Sequence, residues 1–251
     1  VIVSQISSGT PDSGYVTITG EFYDLTVKKV DSYTGAALDG AVFQLTSNGA
    51  AVGLTQTGAG AYTAGGNTAQ FTTGNGTAVI TGVPGGSYQL VEVSAPSAAY
   101  TASAAGGINL TQNASVTVQN APTEININKT DMTTGAAMAN ITFTLLDSAG
   151  VAVKLSKAAD GTYRPNSNGS TAIVTDAAGK AKIMYLPKGK YTLRETVPAG
   201  YAPQADATIN LSGKSTVTAK NEPLALTLTK VDSFTGKTLA GISFTLLDSS
   251  G

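Results

Sequence analysis

One short stretch recurs three times. Leu-Thr-Val-Lys-Lys-Val-Asp at 25–31 returns as Ile-Asn-Ile-Asn-Lys-Thr-Asp at 125–131 and as Leu-Thr-Leu-Thr-Lys-Val-Asp at 226–232. The lysines Lys29, Lys129 and Lys230 stand 100 and 101 residues apart. Each sits in an alternating apolar/polar run, the pattern of a β-strand with one buried face. The residues after each run repeat as well, through a Thr-Gly turn into Ala41–Leu45, Ile141–Leu146 and Ile242–Leu247. A fixed period with internal identity means an array of like domains. A period of about 100 residues is an ordinary domain size. The chain therefore divides into two whole modules, 25–123 and 124–223, and two pieces. Residues 1–24 read as the C-terminal hairpin of a preceding domain, with strands Val1–Ile6 and Gly14–Phe22. Residues 224–251 read as the N-terminal part of a further, truncated module.

Composition narrows the fold class. Strand formers alternate with Gly/Asn/Asp/Pro clusters at short intervals, and no long segment carries a helical period. That pattern specifies all-β sandwiches, here in linear array. The middle of the first module, 46–78, is rich in Gly, Ala, Thr and Asn and reads as short surface strands and loops. Later, Ser-Tyr-Gln-Leu-Val-Glu-Val at 87–93 places Tyr88, Leu90 and Glu92 on one face and Gln89, Val91 and Val93 on the other. The counterpart in the second module is Lys-Tyr-Thr-Leu-Arg-Glu-Thr at 190–196. Each module closes on a strand ending at Asn120 or Asn221, with Pro122 or Pro223 two residues on to stiffen the joint.

Charge and residue usage exclude several functions. A net charge of −1 with scattered basic residues gives no reason to expect nucleic acid as partner. No apolar run approaches the roughly 18 residues that a bilayer requires, so no membrane insertion is expected in this segment. Cysteine and histidine are absent. This removes disulfides, thiolate nucleophiles, most structural zinc sites and the commonest general base. No metal or cofactor site is expected. Small sandwiches without disulfides need another means of holding together. Thr/Ser-rich β-repeats without cysteine fit secreted surface proteins of Gram-positive bacteria.

Three polar positions recur in register in both whole modules. They are Lys29/Lys129 on the first strand, Glu92/Glu195 on a late strand and Asn120/Asn221 at the end of the last. The Lys-to-Glu separations are 63 and 66, and the Lys-to-Asn separations 91 and 92. Taken singly, a strand lysine is usually solvated, as Lys28 should be. A terminal asparagine is often only a turn residue. The ordered trio occurring twice is what carries weight.

With these residues in view, the modules resemble the CnaB-type (prealbumin-like, reversed immunoglobulin) domains of Gram-positive adhesins and pilins. The resemblance rests on Lys-Val-Asp-x-x-Thr-Gly-x-x-Leu-x-Gly-x-x-Phe-x-Leu, on Pro-x-Gly-x-Tyr-x-Leu-x-Glu-x-x-Ala-Pro-x-Gly-Tyr, and on a last strand ending in Asn. It covers nearly the whole chain. The first module departs from it, with Pro-Ser-Ala-Ala-Tyr at 96–100 in place of Pro-x-Gly-Tyr. The resemblance implies intramolecular isopeptide bonds Lys29–Asn120 and Lys129–Asn221, assisted by Glu92 and Glu195. Lys230 would have no partner within these residues. Nine residues before Lys29 stands Gly20, so no crosslink is expected for the preceding domain unless Asp24 takes the role.

Elementary chemistry is compatible with that implication. Burial lowers a lysine's pKa, giving the neutral amine that can attack a carboxamide. A buried carboxylic acid can hydrogen-bond the amide oxygen and move the proton. Folding supplies proximity worth roughly 7–11 kcal/mol. Such a reaction is a single turnover, so the chain is not expected to be an enzyme. The expected function is a stalk of a cell-wall adhesin at the extracellular surface, its partners the neighbouring modules of the same chain. Other readings are the backbone subunit of a sortase-assembled pilus, which would bring fibre assembly, and a module binding a host surface or matrix protein through loops such as 46–78. No Leu-Pro-x-Thr-Gly or Tyr-Pro-Lys-Asn motif occurs in these residues.

Overall fold

Alternation settles the first strand of each module. The computed structural model describes residues 20–103 and 106–247. In β1 (Phe22–Asp31), Leu25, Val27, Lys29 and Asp31 face inward, while Lys28 is exposed. The next strands are β2 (Val42–Ser47), β3 (Ala50–Ala51), β4 (Leu54–Gly58), β5 (Ala61–Ala64) and β6 (Phe71–Thr72). Then come β7 (Thr77–Pro84), β8 (Gly86–Ser94), β9 (Tyr100–Thr101), β10 (Gly107–Leu110) and β11 (Ala114–Pro122). They form two sheets, ordered β4-β5-β7-β1-β11-β9 and β10-β8-β2-β3, with β6 also on β2. The first and last long strands, β1 and β11, lie side by side and parallel, with Lys29 opposite Val118 and Asp31 opposite Asn120.

The second module repeats the plan. Its strands are β12 (Glu124–Asp131), β13 (Thr142–Leu146), β14 (Leu155–Lys157), β15 (Tyr163–Pro165) and β16 (Ala172–Val174). They continue with β17 (Lys180–Met184), β18 (Gly189–Glu195), β19 (Ala207–Leu211) and β20 (Lys214–Asn221). The sheets run β14-β15-β17-β12-β20 and β16-β13-β18-β19. The pairing of β12 with β20 is again parallel, with Lys129 opposite Ala219 and Asp131 opposite Asn221. Among the described residues there is no helix, and the molecule is an all-β tandem of sandwiches.

Each module has its own apolar core. In the first, Leu25 and Val27 meet Phe43, Leu45, Ile80 and Leu90; in the second, Ile125 and Ile127 meet Phe143, Leu145, Ile183 and Leu193. The face assignment in β8 is as the alternation requires, with Tyr88, Leu90 and Glu92 inward. The Gly-rich middle segment is more than surface. Leu54, Tyr62 and Phe71 from it are buried, Phe71 stacking on Phe43 at 5.6 Å and meeting Tyr62 edge-on at 5.8 Å. A few bulky residues spaced among small ones are enough to fill a sandwich, because large aromatics dominate buried area.

The two outer pieces fare differently. Residues 1–19, including most of the expected N-terminal hairpin, lie outside the described residues. β1 opens at Phe22, so Asp24 belongs to the first module, where its Oδ1 accepts from the Gly82 N–H at 3.4 Å. The third repeat, read from sequence as two strands, forms no ladder within 224–247. It keeps one isolated bridge, Val231 to Thr238, and an Asx turn in which Asp232 accepts from the Phe234 and Thr235 N–H groups. A turn is closed by local bonds, whereas a strand needs a neighbour to pair with.

Candidate functional site

The parallel pairing brings the trio together. Lys29 and Asn120 point to the same side of adjoining strands, two register positions apart, and Glu92 reaches them from β8 in the facing sheet. All three side chains are buried; Lys29 and Asn120 are fully enclosed. The Lys29 Nζ lies 3.4 Å from Glu92 Oε1 and 3.5 Å from Oε2. The Asn120 Nδ2 donates to Glu92 Oε2 at 2.8 Å and to the Thr101 carbonyl at 2.7 Å. The Ser103 N–H donates to the same Oε2 at 2.6 Å. The Lys29 ammonium also stands 5.9 Å from the Phe43 ring centroid.

The second site has the same members in a looser setting. Lys129 Nζ is 3.8 Å from Glu195 Oε1, 3.4 Å from the Thr130 carbonyl and 3.6 Å from the Met138 Sδ. Asn221 Nδ2 donates to the Ala202 carbonyl at 3.4 Å. Lys230, the third lysine of the series, is exposed, its Nζ 3.5 Å from the Val231 carbonyl.

Burial sets the electrostatics. Desolvation lowers the pKa of Lys29, and the Glu92 charge only partly opposes it. Lys129 is lowered for the same reason, against Glu195 and Asp131. Burial raises Glu195, against Lys129 and Asn221. Each site therefore leans toward the neutral amine, and the second also toward the neutral acid. Both sites leave the same two kinds of oxygen without a hydrogen-bond donor: Glu92 Oε1 with Asn120 Oδ1, and Glu195 Oε1 with Asn221 Oδ1. Buried polar atoms are nearly always paired, so a repeated exception calls for a cause. At the second site, where burial raises Glu195, a proton on its carboxyl would add a donor to the cluster.

A second pair of residues closes each site. Asp31 Oδ1 accepts from the Tyr33 and Thr34 N–H groups, at 2.6 and 2.9 Å, while Oδ2 accepts from the Tyr100 hydroxyl at 2.9 Å. In the second module Asp131 holds Thr133, Thr134 and the Tyr201 hydroxyl, the last at 3.0 Å. The backbone carbonyls of the asparagines join in, that of Asn120 accepting from the Ser32 N–H and that of Asn221 from the Met132 N–H. Burial alone would raise Asp31, but the Thr34, Tyr33 and Tyr100 bonds outweigh it and the pKa falls. Sequence reasoning alone does not single these residues out. Their signal lies in the Lys-x-Asp spacing of all three repeats and in tyrosines 71 and 72 residues after Lys29 and Lys129. The departure at 96–100 is absorbed by the loop, which still delivers Tyr100 to Asp31.

Two sandwiches in series, each with its first and last strands parallel over a buried Lys–Glu–Asn cluster, define a class of prealbumin-like modules. The chain belongs to the family described as the SpaA prealbumin-like fold domain, whose model matches residues 23–122 and again 123–223. A comparison with curated sequences finds no match. Among solved structures the chain is similar to the TIE protein of Bacillus anthracis, at 22% identity and TM-score 0.40 over 81% of this chain and 34% of that one. It thus spans about a third of that protein. It is also similar to GBS52, the minor pilin of Streptococcus agalactiae, at 20% identity and TM-score 0.38 over 84% and 99% of the two chains. The shaft pilin SpaA of Lactobacillus rhamnosus GG is similar at 19% identity and TM-score 0.37 over 83% and 100%.

Proposed function

We propose that these modules are stalk segments of a Gram-positive cell-surface adhesin, each closed by an isopeptide bond between Lys29 and Asn120 or between Lys129 and Asn221. The observation that supports this reading is the twofold occurrence of a fully enclosed lysine beside a glutamate and an asparagine, with matching unpaired oxygens. A buried lysine–glutamate pair is weak evidence for stability alone, since desolvation can exceed the Coulombic gain. As the reactant state of a crosslink it has a purpose.

In this reading, proton transfer from Lys29 to Glu92 gives an amine and a carboxylic acid. The amine Nζ attacks Cγ of Asn120 while Glu92 donates its proton to the carboxamide oxygen. The tetrahedral adduct then expels Nδ2. The leaving nitrogen takes a proton relayed from the former amine through Glu92 and departs as ammonia, while the proton on the oxygen returns to Glu92 as the carbonyl re-forms. One C–N bond forms and one breaks, without an oxidant or a cofactor. The reaction happens once per module and is intramolecular, so the chain serves as structure and not as an enzyme. The closed loop of about 90 residues removes on the order of 4–5 kcal/mol of unfolded-state entropy, by analogy with a disulfide.

The intact mass of the folded chain tests the reading. Two ammonia equivalents should be missing in the natural sequence, and one in each of Lys29→Ala and Lys129→Ala. A mass equal to the bare sequence would sink the crosslink and leave an ordinary sandwich array.

A further inference from the structure

Tyr185 is an outlier. It has φ +64°, a left-handed backbone that suits glycine or asparagine and that a bulky residue rarely adopts. At the matching position of the first module, after β7's Thr77–Thr81, stands Gly82 with φ +67°. A strained residue persists where its surroundings over-determine it. The surroundings of Tyr185 belong largely to the other module. Its ring meets Tyr100 edge-on at 5.9 Å, and the Arg164 guanidinium lies 5.0 Å from its centroid. Arg164 also covers Tyr33 at 5.9 Å and is held by Asp160 at 2.6 Å, whose Oδ2 accepts from the Tyr33 hydroxyl at 3.3 Å.

The backbone around this cluster is tied across the joint. Thr123, the single residue between β11 and β12, is fully buried, and its hydroxyl donates to the Leu186 carbonyl at 2.6 Å. The Tyr185 N–H donates to the Thr123 carbonyl at 3.1 Å, and the Lys188 N–H to the Ala98 carbonyl at 2.9 Å. Burial, then the Asp31 carboxylate beside it, pushes the Tyr185 hydroxyl up to about 12.

We propose that Tyr185 is a wedge that locks the second module onto the face made by Asp31, Tyr33 and Tyr100 of the first, so that the two modules move as one body. The surface is a docking face for the next module of the same chain. Its recognition is aromatic and cation–π in kind, with Arg164 as the cover. Without such a contact, relative motion of neighbouring domains is the ordinary expectation.

The chain has no cysteine, so two can be introduced cleanly for spin labels. Gln56→Cys and Lys190→Cys lie on exposed strand positions of the two modules. The distance distribution between labels should be narrow in the otherwise natural chain. Tyr185→Gly removes the ring and suits the backbone, so both modules should stay folded while the distribution widens at least about twofold. Tyr33→Ala should widen it less. Should Tyr185→Gly lose its fold, Tyr33→Ala and Arg164→Ala, which leave both cores intact, decide in the same way. Equal widths in all chains, or a distribution already broad before substitution, would overturn the proposal.

Discussion

Lys29 and Asn120 lie on adjoining parallel strands, Asn120 two register positions beyond the residue that faces Lys29. Side chains two apart on neighbouring strands share a face and sit within reach of a long side chain. Lys129 and Asn221 stand in the same relation in the second module. A lysine at the inner face of β1 thus meets the last strand's asparagine by topology alone, and β8 needs to bring only one further group.

That group should be indispensable for the proposed bond. Glu92→Gln keeps the shape but cannot cycle a proton, and Glu195→Ala removes the acid from the second site. Each variant should retain one more ammonia than the natural chain, read by intact mass. The affected module should also unfold at lower denaturant, by about 4–5 kcal/mol if the loop-closure entropy is lost in full.

The rate of crosslinking should be bell-shaped in pH. The reactive pair at the second site carries one proton, on Glu195, with Lys129 neutral. At low pH a second proton occupies Lys129 and stops attack. At high pH Glu195 loses its proton and cannot assist. Because Lys129 is lowered and Glu195 raised, the maximum should fall between the ordinary carboxylate and ammonium ranges. Ammonia loss timed by mass after dilution from denaturant at a series of pH values measures it. A rate that rises steadily to high pH would show that Glu195 takes no part.

The Asp31–Tyr100 bond should matter to the first module's stability. Tyr100→Phe deletes one hydrogen bond to a buried carboxylate, a loss of about 1.5–3 kcal/mol. The pH sign is set by the lowered pKa of Asp31. Its contribution is present above the ordinary aspartate value and is lost as pH falls through the lowered one. Thermal unfolding of the natural chain and of Tyr100→Phe should therefore converge as the solution is made acid.

Phe71 tests the middle segment. It is buried, stacked on Phe43, yet comes from a stretch of Gly, Thr and Asn. Phe71→Ala should cost about 3–5 kcal/mol in denaturant unfolding of the first module. A loss below about 1 kcal/mol would return 46–78 to the surface, where its composition alone places it.

The legible parts of this protein are those with a short period. Alternation puts Lys29, Tyr88, Leu90 and Glu92 on inner faces, and the repeat of 100 residues gives the modules and the Lys–Glu–Asn trio. The parallel pairing of β1 with β11 is not legible, because strand order is decided by sheet-wide packing. Leu54, Tyr62 and Phe71 escape sequence reasoning because isolated bulky residues among glycines show no period. The Asp31–Tyr100 contact escapes it because it joins residues 69 apart that each look like turn residues. Tyr185 is invisible to propensity altogether. Only its backbone angle and its neighbours in the other module mark it.

The parallel neighbours β1 and β11 also decide which residues would stretch if the chain were pulled from its ends. With the proposed bonds made, tension enters the first module at Lys29, crosses to Asn120 and runs along the chain to Lys129. That is nine residues, about 30 Å of extended backbone. The remainder of each sandwich hangs beside this line as a slack loop. Its length can change, as it does between the two middle segments, without altering the contour of that line. A cut by a protease anywhere in that loop leaves the line whole. The joint 121–128 is then the one stretch where a single broken peptide parts the two modules.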